Sequence, residues 1–347
     1  MKLTIAEIAR RAGVSKTTVS RVLNDRPDVD QATRQRIQQL IEETGYVPHV
    51  AAVSLATGRT GLLGLLAPSL LRPWTIQIIQ GIADAIDSTD YELVLYTTSM
   101  AERNQEMYAR ALAHGLTDGL IVILPREGGM EYLTNLRKQS FPLVLIDYRG
   151  QTPDMPSVTA ANLSGAFGAV EHLLSLGHRR IGIITGLMDL GCSRDRLAGY
   201  REALQKAGLG IDPDLIVAGD FSEPSGYEGM RRLMTLREPP TAVFASNDEM
   251  ALGAMRAARD LDLRIPEDVS LVGFDDVHMA QFAVPPLTTV RQPMSDMGRR
   301  AVEMLLLQIK GDNLSESRVV LPTELIIRES TDIPKKDPGV RNGRHRG

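Results

Sequence analysis

The sequence has 347 residues, 43% of them apolar, which suits two or three domains with cores of their own and excludes a chain that stays unfolded throughout. A single cysteine, Cys192, excludes an intramolecular disulfide framework or a cysteine-rich zinc site and leaves the cytoplasm as the expected compartment. The net charge of −4 divides unevenly: residues 1–60 carry nine Lys or Arg against six Asp or Glu, residues 335–347 five basic groups against one acid, and residues 61–334 sum to −11. A basic head on an acidic body points to a polyanionic partner for the head alone.

The opening residues, MKLTIAEIARRAGVS, alternate charged and apolar positions and lack the basic patch, apolar run and small-residue cleavage site of an export signal. The most apolar stretches, Leu62 to Leu66 and Leu120 to Leu124, are five residues long. A membrane-spanning helix needs roughly 20, so no membrane partner is expected.

In residues 4–24, TIAEIARRAGVSKTTVSRVLN, Thr4 is placed to cap a first helix with Glu7 at the capping-box position, and Ile5, Ile8 and Ala9 form its buried face. Gly13 permits a tight turn. Ser15 caps a second helix whose Val19, Val22 and Leu23 face inward, leaving Lys16, Thr17, Ser20 and Arg21 outside. Such an outer face suits a nucleic-acid groove, where base edges are read by hydrogen bonds and phosphates are held by hydroxyls and cations. A third amphipathic stretch, Gln31 to Thr44 with Ile37, Leu40 and Ile41 inward, completes a three-helix core. Spacing alone also fits a generic helical bundle.

From Leu62 onward, short Val, Ile and Leu-rich runs alternate with longer segments of helical period, the pattern of a parallel α/β sheet. The predicted strands are Leu62 to Ala67, Glu92 to Tyr96, Leu120 to Ile123, Leu143 to Asp147, Ile181 to Thr185, Ala242 to Ala245 and Ser270 to Phe274. Between them lie crossover helices such as Gln77 to Asp87, Ala161 to Leu176 and Arg196 to Ala207. The Tyr148 to Thr159 segment, with Gly150, Pro153 and Pro156, breaks the rhythm near the middle and marks a passage between two halves. Two sheets in tandem leave a cleft, and ligands of open α/β sheets bind beyond the carboxyl ends of the strands. The tail after Ile333 has no apolar periodicity and is expected to be disordered.

The wording of these segments carries more than their periodicity. The run AEIARRAGVSKTTVSRVLN followed by Gly45-Tyr46-Val47-Pro48 resembles the helix-turn-helix head of the LacI/GalR family of bacterial transcription regulators. The likeness continues through Ser54-Leu55-Ala56-Thr57-Gly58-Arg59-Thr60, Gly177-His178-Arg179-Arg180-Ile181, Arg196-Leu197-Ala198-Gly199-Tyr200, Ala245-Ser246-Asn247-Asp248, Gly273-Phe274-Asp275-Asp276 and Pro285-Pro286-Leu287-Thr288-Thr289-Val290. It covers nearly the whole chain to about residue 330.

The resemblance implies an α plus α/β fold: a three-helix helix-turn-helix headpiece (1–48), a hinge helix and linker (49–60), and an effector-binding and dimerisation domain (61–334). That last domain is of periplasmic-binding-protein type, with two Rossmann-like subdomains and passages between them near 148–162 and again near 290; a basic tail (335–347) follows. It assigns DNA contact to Thr4, Ser15, Lys16, Thr17, Thr18, Ser20, Arg21 and Asn24, with Lys16, Thr17 and Arg21 reading bases and Thr18 and Ser20 nearer phosphate. Leu55 takes the place of a wedge that enters the minor groove and kinks the duplex. His49 stands where the family commonly has Asn, and Val53 where it commonly has Arg. Arg34 and Arg36 read as solvated-face residues.

Acids at the carboxyl ends of strands point into a cleft mouth, and acids, amides and an aromatic face are what bind a sugar. The candidates are Ser69, Asp147, Arg196, Asn247 and Asp275 as polar groups, with Trp74 and Phe221 as aromatic ones, and the resemblance places all seven at the effector pocket. Asp248 and Asp276 read as caps, His178 as a structural turn residue, and Ala161 stands where the family often has Asp. Enzyme motifs are absent from the sequence: there is no GxSxG elbow, P-loop, GxGxxG after the first strand or HExxH. Asp147 and Asp275, far apart in sequence, are a weak signal for a glycosidase pair. The expectation is a homodimeric repressor without catalytic activity or cofactor, released from a palindromic operator by a small sugar. A purine-type corepressor and a sugar sensor without DNA function are the alternatives.

Overall fold

The computed structural model describes residues 4–23, 26–46, 59–98, 105–125, 130–148 and 155–335. Asn24, Leu55 with the hinge helix expected around it, and the tail from residue 336 lie outside the described residues. The chain divides into two units, Met1–Gly61 and Leu62–Gly347.

The first unit packs three helices, α1 (Ile5–Ala12), α2 (Lys16–Leu23) and α3 (Gln31–Thr44), around Ile8, Ala9, Ala12, Val19, Val22, Ile37 and Tyr46. Gly13 ends α1 at φ 65°, a left-handed conformation that glycine adopts without strain. Ser15 caps α2, its Oγ accepting the Thr18 N–H at 3.1 Å. The capping box at α1 does not form. Thr4 precedes the helix without a side-chain cap, and Glu7 is drawn instead to the guanidinium groups one turn on, at 2.6 Å from Arg10 and 3.0 Å from Arg11. The hydrogen bond from Arg10, then that from Arg11, lowers the Glu7 carboxyl to about 2.

The second unit holds two six-stranded sheets. The first has the order β11 (Arg318–Leu321), β5 (Ser157–Ala160), β4 (Leu143–Ile146), β3 (Gly119–Ile123), β1 (Leu62–Pro68), β2 (Glu92–Thr98), all parallel. The second runs β12 (Glu324–Ile326), β10 (Thr288–Arg291), β9 (Ser270–Asp275), β8 (Ala242–Ala245), β6 (Ile181–Thr185), β7 (Ile216–Ala218), and only β12 is antiparallel to its neighbour. Helices cover both faces of each sheet, so the central strands are apolar on both sides. In β1, Leu63 and Leu65 join one core with α4 (Pro73–Ile86) and α11 (Met294–Lys310). Leu66 joins another with α5 (Gln105–Ala113) and α6 (Met130–Lys138). In the second sheet, α7 (Asn162–Ser175) and α8 (Gly191–Lys206) cover the face of Ile183 and Phe244. The helices α9 (Glu223–Met234) and α10 (Asp248–Asp260) cover the face of Ile184 and Val243.

Five strands, β5, β7, β10, β11 and β12, are not among those read from the sequence. Each is three or four residues long, and β11 alternates exposed and half-buried positions at a sheet edge, so none carries a long apolar run. Two helices begin earlier than their periodicity indicates, α4 at Pro73 and α8 at Gly191, and each first turn contributes one residue, Trp74 and Cys192, to both the cavity wall and the core. The chain passes from the first sheet to the second after β5, returns after β10 into α11, and passes again between β11 and β12. The sequence reading contained no counterpart to this third passage.

Candidate functional site

Two groups of polar residues stand out. On α2, Lys16, Thr17 and Arg21 are exposed and Thr18 and Ser20 half-buried, opposite the buried Val19 and Val22. Ser15 and Thr18 hydroxyls meet at 2.9 Å, and Arg21 lies 3.2 Å from Asp28. The helix thus presents a row of hydrogen-bonding groups and two cations on a rigid, capped element, as groove reading requires. Thr4 lies just before α1 and is exposed.

The second group lines a cavity between the two sheets. Arg72, Trp74 and Ile78 come from the start of α4, Leu124 and Asp147 follow β3 and β4, and Cys192 and Arg196 come from the start of α8. Phe221, Asn247 and Asp275 belong to the second half, and Gln292, Met294 and Met297 to the returning chain. The envelope is about 500 Å³ including its open mouth, within the range of small-molecule pockets.

Arg196 organises the cavity wall. Its guanidinium, on a residue 3% exposed, donates from Nε to Asn162 Oδ1 at 2.8 Å and from Nη1 to Ser246 O at 2.5 Å, and lies 3.6 Å from Asp275 Oδ1. It stacks 3.9 Å from the centre of the Phe274 ring. Gln292 Nε2 donates to Asp275 Oδ1 at 2.7 Å. Burial raises the Asp275 carboxyl to about 7 in spite of Arg196 and Gln292, which favour its charge. Burial also pushes the Cys192 thiol well up, and the nearby Asp147 charge adds to it. Arg72 crosses the mouth, donating to Phe221 O at 2.8 Å and pairing with Glu249.

Four lining residues other than glycine take positive φ: Leu124 at 51°, Asp147 at 57°, Phe221 at 68° and Asp275 at 125°. Such strain persists only where surrounding structure enforces it, and it gathers at functional sites. Thr75, Ser193 and Ser246, each next in sequence to a lining residue, bury hydroxyls with no partner among the described residues.

Six of the seven candidates read from the sequence, Trp74, Asp147, Arg196, Phe221, Asn247 and Asp275, line this one cavity. Ser69 does not: its Oγ accepts the Leu71 N–H at 3.1 Å within the turn that leaves β1. Trp74 is half-buried, and it lines the cavity while also packing on the core. Asn247 serves two structural ends, capping α10 through Met250 N at 3.0 Å and donating to Phe221 O at 3.1 Å.

Asp248 is not the cap expected of it. Its buried carboxyl accepts from Val277 N at 2.9 Å and Thr289 Oγ1 at 2.5 Å, because the preceding Asn247 already caps the helix. Burial, then the nearby Asp275, raises it well above the usual carboxylate range. Asp276 instead pairs with Arg291 at 2.8 Å and Arg328 at 2.6 Å. His178 is buried, with Nδ1 2.8 Å from Thr241 Oγ1 and Nε2 2.9 Å from Asp332 O, a structural position.

Sequence reasoning missed Arg72, Cys192 and Gln292. Arg72 and Gln292 carry no motif; Cys192, as the one cysteine, offered a signal that pattern reading assigned only to compartment.

Among the described residues no helix is long and apolar enough to cross a membrane. Residues 4–49 match the family model described as bacterial regulatory proteins, lacI family, and residues 170–331 the periplasmic binding protein-like domain. The HTH-type transcriptional regulator DegA of Bacillus subtilis (strain 168) is 34% identical over 333 residues, covering 95% of this chain and 98% of that protein. A complex of the transcriptional regulator CelR with cellobiose is 34% identical with a TM-score of 0.73, covering 94% of this chain and 99% of that one. A lac repressor dimer bound to operator and the anti-inducer ONPF is 30% identical with a TM-score of 0.86, covering 96% of this chain and 100% of that one. With a helix-turn-helix head, two largely parallel sheets beside a cavity lined by charged, amide and apolar side chains, and relatives matched along nearly their whole length, the chain belongs to the LacI family of DNA-binding, ligand-regulated transcription regulators.

Proposed function

We propose that the protein is a transcriptional repressor that binds a palindromic operator as a homodimer and is released by a small uncharged sugar in the cavity of its second unit. The observation that carries this reading is the cavity wall itself: acids, an amide, a buried arginine and two aromatic side chains at the carboxyl ends of parallel strands. Arg72 and Arg196 both already have protein partners, Glu249 and Phe221 O for the first and Asn162, Ser246 O and Asp275 for the second, which favours hydroxyl groups over phosphate as the ligand's polar part. The cellobiose held by the CelR relative and the operator held by the lac repressor relative support the same pairing of sugar and DNA. In this reading Lys16, Thr17 and Arg21 read bases, Thr18 and Ser20 hold phosphate, Leu55 wedges the minor groove, and the cavity performs no catalysis and needs no cofactor.

The test begins with selection of binding sites from a random duplex pool, followed by titration with cellobiose, other mono- and disaccharides, and purines. The expected result is a two-fold symmetric site whose affinity for the protein falls when one sugar saturates. Selected DNA without symmetry, or an affinity that every sugar leaves unchanged, would overturn the reading; a purine that tightens binding would replace it with corepression.

A further inference from the structure

Two of the three chain passages between the sheets carry a buried amide side chain that donates to a carboxylate of the cavity wall. Asn162, 0% exposed, opens α7 after the first passage. Its Nδ2 donates to Asp147 Oδ1 at 3.1 Å and to Ala160 O at 3.2 Å, while its Oδ1 accepts from Arg196 Nε. Gln292, 9% exposed, opens the second passage and donates to Asp275 Oδ1. The third passage is tied to the first, since Ala161 N donates to Leu321 O at 2.9 Å and Thr323 Oγ1 lies 3.5 Å from Ala161 O. A line of contacts therefore runs from Gln292 through Asp275, Arg196 and Asn162 to Asp147, joining the passages through the cavity wall.

Any rotation of one half on the other must turn the chain at these passages. A ligand hydroxyl that binds Oδ1 of Asp147 or Asp275 competes for the oxygen now committed to a passage amide. We propose that Asn162 and Gln292 are positioning residues of the effector switch, holding the two cavity carboxylates to the passages until a ligand draws them away. The proposal rests on the reading of this cavity as the effector site.

Cys192 supplies a test that needs neither sugar nor operator, so its failure is separable from failure of the titrations above. The sole cysteine lines the cavity at 2% exposure. In the full-length protein, its reaction with a bulky maleimide reads parting of the halves, and its reaction with methyl methanethiosulfonate corrects for thiol ionisation. Asn162→Leu and Gln292→Leu are expected to raise the corrected maleimide rate roughly ten- to a hundredfold, as loss of a charge-assisted hydrogen bond implies.

Gln292→Glu, which keeps the shape, separates a switch from a packing role. The charged groups around Asp275 are Arg196 of α8, Asp147 after β4, Asp248 and Glu249 at the start of α10, and the adjacent Asp276. At about pH 6 the introduced carboxyl shares a proton with Asp275 and the rate stays near wild type; at about pH 9 both are ionised and the rate climbs. Leucine variants that react at the wild-type rate, or a Gln292→Glu profile that tracks the wild type across pH, would overturn the proposal.

Discussion

Asp275 keeps its proton up to about pH 7 because burial outweighs the attraction of Arg196 and Gln292. Its folded value lies above the ordinary 3.8, so between those two points the folded state binds more protons than the unfolded state. Stability therefore declines as pH rises from about 4 to about 7 and levels off beyond, as far as this group is concerned. Asp275→Asn should flatten that segment of the curve, which urea midpoints taken across the range would show. An unchanged slope would mean that the proton is held elsewhere, with Asp248 the neighbouring candidate. The identity of Asp275 as a cavity residue was legible from its place after an apolar strand. Its proton affinity was not, because that depends on depth and on partners drawn from α8 and the second passage.

Packing of α4 on α11 shows what a glycine does for an element. A Cβ on Gly81 would lie 2.0 Å from Ser295 O, and one on Gly298 would lie 2.2 Å from Ile78 O, so each helix sets its backbone against the other's glycine. Gly81→Ala should destabilise by about 1–3 kcal/mol through overpacking against main chain that cannot yield. Gly168, inside α7 with open space at its Cβ position, makes the contrast: Gly168→Ala should stabilise by about 0.5–1 kcal/mol through helix propensity. Urea denaturation with an unchanged slope would verify both. At this scale the long central strands and the periodic cores of the helices were readable, since burial on both faces writes a continuous apolar run. The short edge strands were not: β12 is only Glu324–Ile326 and owes its strand form to the neighbour at Thr289–Arg291.

Across the whole molecule, ligand and operator affinities must be linked if the cavity governs DNA binding, and the factor must be the same in both directions. A sugar that lowers operator affinity by roughly 5–150-fold should lose affinity by that factor when measured on the operator complex. Calorimetric titration with and without duplex would measure it, and unequal factors at equilibrium would show that more than these two sites exchange. The same sugar should raise the free protein's unfolding free energy by about 2.7 kcal/mol at a hundred times its dissociation constant.

The sequence by itself determined the helix-turn-helix head, the two-half α/β body and the family, because capping residues, helical period and doubly buried strands leave local marks and the motif wording is specific. It also named six of the residues that line the cavity, Asp147, Asn247 and Asp275 as acids and an amide at the ends of apolar runs and Trp74, Arg196 and Phe221 with the help of the family resemblance. Only the tertiary structure decided how those residues act. It turned Ser69 into a turn, made Asn247 a cap and Asp276 an ion-pair partner, and brought Arg72, Cys192 and Gln292 into the wall. The reason is range: a period of two or 3.6 residues is written locally, whereas the hydrogen bond from Gln292 to Asp275 and that from Asn162 to Asp147 join segments that meet only when both sheets have formed.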